Sequence, residues 1–271
     1  KNRFRGIAME KPLSISEIKI RLDSLDEISR EEYVRELMAD ERSGVKKITE
    51  TYQRQKAKAE KEQARIGAMI EFDHSFASEG MIVAGVDEVG RGPLAGPVVA
   101  ACVVIDRDAM IEGVNDSKKL SQEKREYLYD IIVKKSRHCS IGIIENDVID
   151  RINILNSTFL AMSSAINHVS KELSEKGSRI DIVLVDGNQK IKDLDIRQET
   201  VVGGDARSYA IACASIVAKV YRDRLMENYD KKYPGYDFAG NKGYGTASHY
   251  EGLNRLGFTP IHRRSFCKSV L

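Results

Sequence analysis

Apolar positions fall into two textures along the chain. Up to about residue 80 they recur at helical spacing within a dense field of charge. Ile15, Ile18, Leu22 and Leu25 predict a first helix, opened by Ser14, Ser16 and Glu17. Tyr33, Val34, Leu37 and Met38 predict a second from about Ser29 to Asp40, and a third is expected from about Arg42 to Ile66. From Met81 onward, apolar runs punctuated by glycine alternate with amphipathic stretches. Met81 to Val86, Val98 to Ile105, His138 to Ile144 and Ile180 to Val185 read as buried strands. Ser121 to Lys135, Ile152 to Lys176 and Ala206 to Tyr229 read as helices; in the last, Ala210, Ala214, Val217, Tyr221 and Leu225 share one face. Strands that repeatedly precede helices predict an α/β fold, a mixed sheet flanked by helices.

Composition sharpens this division. The chain has 271 residues, enough for one compact α/β domain with an appendage or for two small domains. Its 42% hydrophobic content fills a real core and excludes a wholly disordered chain. The first 80 residues carry 16 Lys/Arg and 16 Asp/Glu, so residues 1–78 are expected to form a charged helical extension and 79–271 the main domain. Eight Lys/Arg against three Glu between Arg42 and Ile66 could touch a polyanion or simply be a solvated face. With 43 basic against 41 acidic groups, net charge says little about partners. The longest uncharged apolar stretch, Pro93 to Ile105, is too short for a membrane span, and no apolar leader opens the chain. Cys102, Cys139, Cys213 and Cys267 show no paired spacing and read as reduced core residues of a cytoplasmic protein. No function is placed on the first ten residues.

Candidate chemistry concentrates in carboxylates at element ends. Asp87 and Glu88 stand where an apolar strand runs out, before Gly90-Arg91-Gly92. Neighbouring side chains of a regular strand point to opposite faces, so both serve one site only if the strand breaks there. A second strand ends at Asp186, and Asp205 follows Gly203-Gly204 at the expected start of the long helix. Taken alone, Asp205 could be a helix cap and Asp186-Gly187 an ordinary turn. Clustered carboxylates need a cation to stay ionised together, and oxygen-only ligands select hard ions such as magnesium or manganese. No His/Cys set has zinc spacing. Carboxylates bridging two metals are standard apparatus for phosphodiester hydrolysis, so the chemistry points to a nuclease.

The motifs then align with one family. Asp87-Glu88-Val89-Gly90-Arg91-Gly92, Asp116-Ser117-Lys118-Lys119-Leu120, Asn153 to Thr158, Val185-Asp186-Gly187, Gly204-Asp205, Ala214 to Val220 with Arg222-Asp223-Arg224, Lys242-Gly243-Tyr244-Gly245-Thr246 with His249, and His262 to Phe266 together resemble ribonuclease HII. The resemblance runs in order from about Met81 to Phe266. It implies a ribonuclease-H-like fold, with a helical C-terminal segment (about 225–271) that binds substrate. It also implies a four-carboxylate site of Asp87, Glu88, Asp186 and Asp205 that holds two Mg2+ or Mn2+ ions. The implied activity is hydrolysis of the RNA strand of RNA/DNA hybrids and nicking 5′ of single ribonucleotides in duplex DNA. Such cuts leave 3′-hydroxyl and 5′-phosphate ends and serve ribonucleotide removal. Gly90, Arg91 and Gly92 would sense the 2′-hydroxyl, because glycines let backbone approach a sugar closely. Tyr244 would stack under the sugar at the RNA–DNA junction.

Lys118 and Lys119, with Arg255, Arg263 and Arg264, offer phosphate contacts. His249 and His262 read as structural histidines, and Lys219 with Asp223 as a local ion pair. Gly203 departs from the family, whose members often carry lysine there. Nothing in the sequence demands an assembly, so a monomer is expected. Two competing readings are ribonuclease HIII, whose N-terminal region usually bears a sheet, and a non-catalytic RNA/DNA-binding module.

Overall fold

The computed structural model describes residues 12–267, and the first ten residues of the chain lie outside that range. The chain divides into two units, residues 1–63 and 64–271. In the first, α1 (Ile15–Ser24) starts with a reciprocal cap: the Ser14 hydroxyl accepts from the Glu17 amide, and the Ser14 amide donates to the Glu17 carboxylate at 2.7 Å. Asp26 caps α2 (Glu27–Leu37). Both pack on the start of α3 (Ser43–His74), with Ile18, Leu22, Tyr33, Val34, Leu37 and Val45 forming a small core. All regular structure described in this unit is helical.

The helix α3 runs past the predicted stop at Ile66. Ile66, Met69, Ile70 and Asp73 continue one face, and the three apolar residues are buried in the core of the second unit. That unit holds a five-stranded sheet of β1 (Val83–Val89), β2 (Val98–Val104), β3 (His138–Ile144), β4 (Ile182–Asp186) and β5 (Arg197–Val201) in the order β3-β2-β1-β4-β5. The β1–β2 and β2–β3 pairs are antiparallel; β1–β4 and β4–β5 are parallel. The strand β5, Arg-Gln-Glu-Thr-Val, was not predicted, because an edge strand this polar carries no apolar run.

The helices of this unit are α4 (Gln122–Lys135), α5 (Asn146–Ile152), α6 (Ile154–Ser174), α7 (Gly204–Arg207), α8 (Tyr209–Lys232), α9 (Phe238–Asn241) and α10 (Ala247–Leu256). The predicted 152–176 helix breaks at Asn153, which has a left-handed φ of 67° and caps α6 with its side chain. The predicted 206–229 helix breaks at Ser208, which caps α8. Alternation along β2 sorts the core: Ala101 and Val103 face α8, whereas Ala100, Cys102 and Val104 face α6. Each helix sits close because one glycine admits it. A Cβ on Gly85 would stand 2.2 Å from the Ala210 carbonyl carbon, and one on Gly142 would stand 1.9 Å from the Ala161 oxygen. A third core of Leu94, Ala95, Met226, Tyr236, Phe238, Leu253 and Ile261 ties the C-terminal segment to the loop after β1. The four cysteines are free thiols. No helix among the described residues is long and apolar enough to cross a membrane.

Candidate active site

The strand β1 does not run out before Asp87. It continues to Val89, three residues past the predicted end at Val86, pairing Asp87 with Ala101 and Glu88 with Ala100 of β2, and breaks at Gly90. What ends is the other edge: the parallel ladder with β4 stops at Val86–Val185. The two carboxylates therefore do point to opposite faces of the sheet. Asp87 faces α8, on the same side as Gly85, and interacts with the Ser215 hydroxyl. Glu88 faces a small cleft, about 110 Å³, lined by Arg91, Leu155, Thr158, Phe159 and Asp186. One site can draw on both because no strand covers that edge beyond Val185. Asp186, the last residue of β4, stands there.

Asp186 is the electrostatic link. Burial raises the carboxyl of Asp87 well above its ordinary range, and the charges of Glu88 and Asp186 raise it further. Glu88 is raised by burial and by Asp186, against the pull of Arg91, whose guanidinium lies 3.2 Å away. Asp205 is raised by burial, then by Asp116 and Asp186, with Lys118 opposing. The Gly204 amide donates to Asp186 at 2.7 Å, so α7 is moored to the end of β4. Gly203 at the start of α7 has a φ of 64°, which suits glycine. Asp205 is not the cap of the long helix, since Ser208 fills that role.

Sequence reasoning missed three residues here. Asp116 hydrogen-bonds with Asp205 and is held low by the Lys118 amide and the Lys118 and Lys119 charges, despite burial. Ser117 and Ser215 are 3.0 Å apart and buried, the second of them on Asp87. The only available signal was their place inside the matched motifs.

The remaining predicted residues are distributed as follows. Lys118 is largely exposed, with its Nζ 3.6 Å from Asp205, and Lys119 lies 3.5 Å from Asp116. The half-exposed ring of Tyr244 packs over Gly92; a Cβ there would be 3.3 Å from the ring. Gly90 has a φ of 89°, and a Cβ on it would stand 2.2 Å from Arg222 Nε. Arg255 and Arg264 are exposed, but Arg263 is not a phosphate contact. It is fully buried, and it donates to the carbonyls of Gly90, Arg91, Pro93 and Gly96. Arg222 likewise donates to Ala95, Pro97 and Lys242. Two buried guanidiniums thus clasp the loop that carries Gly90 to Gly92. Lys219 pairs with Asp223 at 2.7 Å as expected. His249 and His262, expected as structural histidines, are buried with their Nε2 atoms 3.0 Å apart.

Among the described residues, no three His, Cys, Asp or Glu side chains stand close enough as placed to enclose an ion. The donors nonetheless suit a hard divalent cation. They are all carboxylate oxygens, and burial first and mutual repulsion second raise Asp87, Glu88 and Asp205, both of which a cation between them would offset.

A mixed sheet of this order, flanked by α6 and α8 and carrying acids at the ends of its central strands, defines a ribonuclease-H-like protein. The comparisons agree. The family model for ribonuclease HII matches residues 84–269, and that for the ribonuclease HII N-terminal domain matches 14–77. Ribonuclease HII of Clostridioides difficile (strain 630) is 44% identical over 259 residues, covering 95% of this chain and 98% of the relative. Ribonuclease H2 from Pyrococcus horikoshii OT3 superposes with a TM-score of 0.55 at 29% identity, over 68% of this chain and 93% of that one. The Archaeoglobus fulgidus RNase HII, solved in complex with PCNA, gives 0.55 at 26% identity, over 68% and 94%. The chain belongs to the ribonuclease HII family and is a ribonuclease H, a metal-dependent nuclease acting on RNA/DNA substrates.

Proposed function

We propose that this ribonuclease H cuts the RNA strand of RNA/DNA hybrids and nicks duplex DNA 5′ of a single embedded ribonucleotide, leaving 3′-hydroxyl and 5′-phosphate ends. One observation carries the reading. The acids of β1, β4 and α7 act on one another electrostatically near the end of the β1–β4 ladder, beside a glycine loop on which a half-exposed aromatic ring packs. Asp87, Glu88, Asp186 and Asp205 would hold two divalent cations, Mg2+ or Mn2+, which when bound supply a nucleophilic water and stabilise the leaving oxygen. The protein's own groups do the rest. The Gly90–Gly92 backbone approaches the sugar where a side chain would block it, and so tests for a 2′-hydroxyl. The ring of Tyr244 stacks on the neighbouring deoxyribose. Lys118 and Lys119 meet phosphates and fix register without reading sequence.

In this reading residues 79–271 form the catalytic domain, with 225–271 as its substrate-binding segment, and residues 1–78 a helical extension. The protein works as a monomer in the cytoplasm, in ribonucleotide removal. The first unit, whose described regular structure is all helical, supports ribonuclease HII over ribonuclease HIII. The test is a labelled DNA duplex carrying one ribonucleotide, incubated with Mg2+, Mn2+ or chelator beside an all-DNA control. A single metal-dependent nick 5′ of the ribonucleotide is expected. Cleavage of continuous hybrid alone, or binding with no product, would overturn the proposal.

A further inference from the structure

The buried histidine pair has its protons assigned by its neighbours. A neutral imidazole carries one N–H, and the other nitrogen accepts. The Thr259 amide donates to His262 Nδ1 at 2.9 Å, so that nitrogen holds a lone pair and the His262 proton sits on Nε2. The Thr259 hydroxyl is 2.8 Å from the same Nδ1. His262 Nε2 faces His249 Nε2 at 3.0 Å, and only one of the two can carry a proton. His249 Nε2 therefore accepts, and the His249 proton sits on Nδ1, where it donates to the Tyr244 carbonyl at 2.9 Å. Burial pushes both imidazoles below their ordinary range, His262 to about 4, so both are neutral at pH 7. The result is a one-way chain from Thr259 through His262 and His249 to Tyr244.

The chain ends on the residue whose ring lies over Gly92. The backbone around Tyr244 is fixed from every side. Its carbonyl also accepts from the Thr246 amide, its amide donates to the Asn241 carbonyl, and the preceding Gly243 carbonyl accepts from Leu94. His262 is bridged through its backbone to Ala95, in the loop that follows Gly90 to Gly92. Tyr236, Phe238 and Phe258 wall the pair off from water.

We propose that His249, oriented by His262, is a positioning residue: its Nδ1–H sets the Tyr244 carbonyl, and thereby holds the Tyr244 ring against Gly92 for the sugar at the cleavage junction. This rests on the reading of Tyr244 and the Gly90–Gly92 loop given under Proposed function.

The test is a double-mutant cycle on the full chain: wild type, H249Q, Y244A and the double variant. Single-turnover cleavage of a one-ribonucleotide duplex in Mg2+ is measured, with thermal melts alongside. Glutamine restores a polar group near Nε2 but loses the donor at Nδ1, whereas asparagine places an amide near Nδ1. Y244A should lower kcat/KM. H249Q should lower it about five- to tenfold in the presence of Tyr244 and less than twofold in its absence, and H249N should recover most of that loss. An equal H249Q loss in both backgrounds would mean a purely structural histidine and would overturn the inference while leaving the role of Tyr244 standing. An unimpaired Y244A would instead remove the reading beneath it. Should H249Q not fold, nitrogen-15 spectra of the wild-type imidazoles decide. Protons on His249 Nδ1 and His262 Nε2 support the chain, and the reverse assignment refutes it.

Discussion

Replacing Arg263 with lysine tests whether a buried cation, rather than the glycines alone, shapes the loop at the site. The guanidinium spans four carbonyls: Nε reaches Gly96 at 2.9 Å, Nη1 reaches Arg91 at 3.0 Å and Pro93 at 2.9 Å, and Nη2 reaches Gly90 at 2.6 Å. A planar fork can address oxygens spread over seven residues of chain, whereas an ammonium donates from a single point. Lysine keeps the charge but brings three N–H groups to four carbonyls from a single point, so at least one carbonyl is left without a partner and the rest are poorly aligned, at about 1–3 kcal/mol for each one lost. A loss of about 3 kcal/mol would lower the melting temperature by about 6–12 °C for a domain of this size. The variant should still be folded at 25 °C, since typical stabilities are about 5–15 kcal/mol. Its cleavage of a one-ribonucleotide duplex should nevertheless fall about tenfold there, because Gly90 and Arg91 have lost their anchors. Calorimetry and single-turnover kinetics on the same preparation measure both. A melt within about 2 °C of wild type, or full activity despite a lowered melt, would refute the argument.

Other perturbations have definite signs. Asp87→Asn should abolish cleavage while leaving hybrid binding intact. It should also raise the melting temperature in chelator, because it removes one of the buried like charges; retained turnover would sink the assignment. Asp73, whose Oδ2 accepts from the Ala210 amide at 2.8 Å, is pushed up to about 7 by burial. A pKa raised on folding gives stability that is full below about pH 4 and lost as pH rises through 7. Relative to Asp73→Asn, wild type should therefore lose about 1.4 kcal/mol per pH unit in that window, and a pH-independent difference in melts would contradict this. Gly85→Ala should cost about 3 kcal/mol or more by forcing α8 off β1, whereas Gly67→Ala, with nothing near its Cβ inside α3, should gain about 0.5–1 kcal/mol; chemical denaturation reads both.

Most of the architecture was legible because its elements carry local signals. The strands β1 to β4 are apolar runs and the main helices have period-3.6 faces, so they stood out. What escaped was decided by partners distant in sequence. The strand β5 exists because β4 offers it an edge, and no apolar run marks it. The helix α3 extends to His74 because the core of the second unit receives Ile66, Met69 and Ile70. Asn153 and Ser208 break predicted helices through a left-handed backbone and a side-chain cap, each a single-residue feature inside an otherwise helical pattern.

The site shows the same limit more sharply. The alternation of a regular strand predicts that adjacent Asp87 and Glu88 split between two faces, and the sequence offers a break of β1 as the remedy. The structure solves the problem on the neighbouring strand: β4 stops short, and the two faces of β1 meet around its open edge. Arg263 and Arg264 make the complementary point. They are sequence neighbours of identical chemistry, and the sequence offers both as phosphate contacts. Only the tertiary structure separates them, placing one against four carbonyls some 170 residues away and leaving the other exposed. A run of basic residues therefore does not by itself tell an exposed cation from a buried clasp. The two are told apart by asking where the backbone carbonyls of the neighbouring loop find their donors. For the Gly90–Pro97 loop they are Arg222 and Arg263, so a loop proposed to meet a sugar is held from the inside in part by Arg263, a residue that the sequence offers as a phosphate contact.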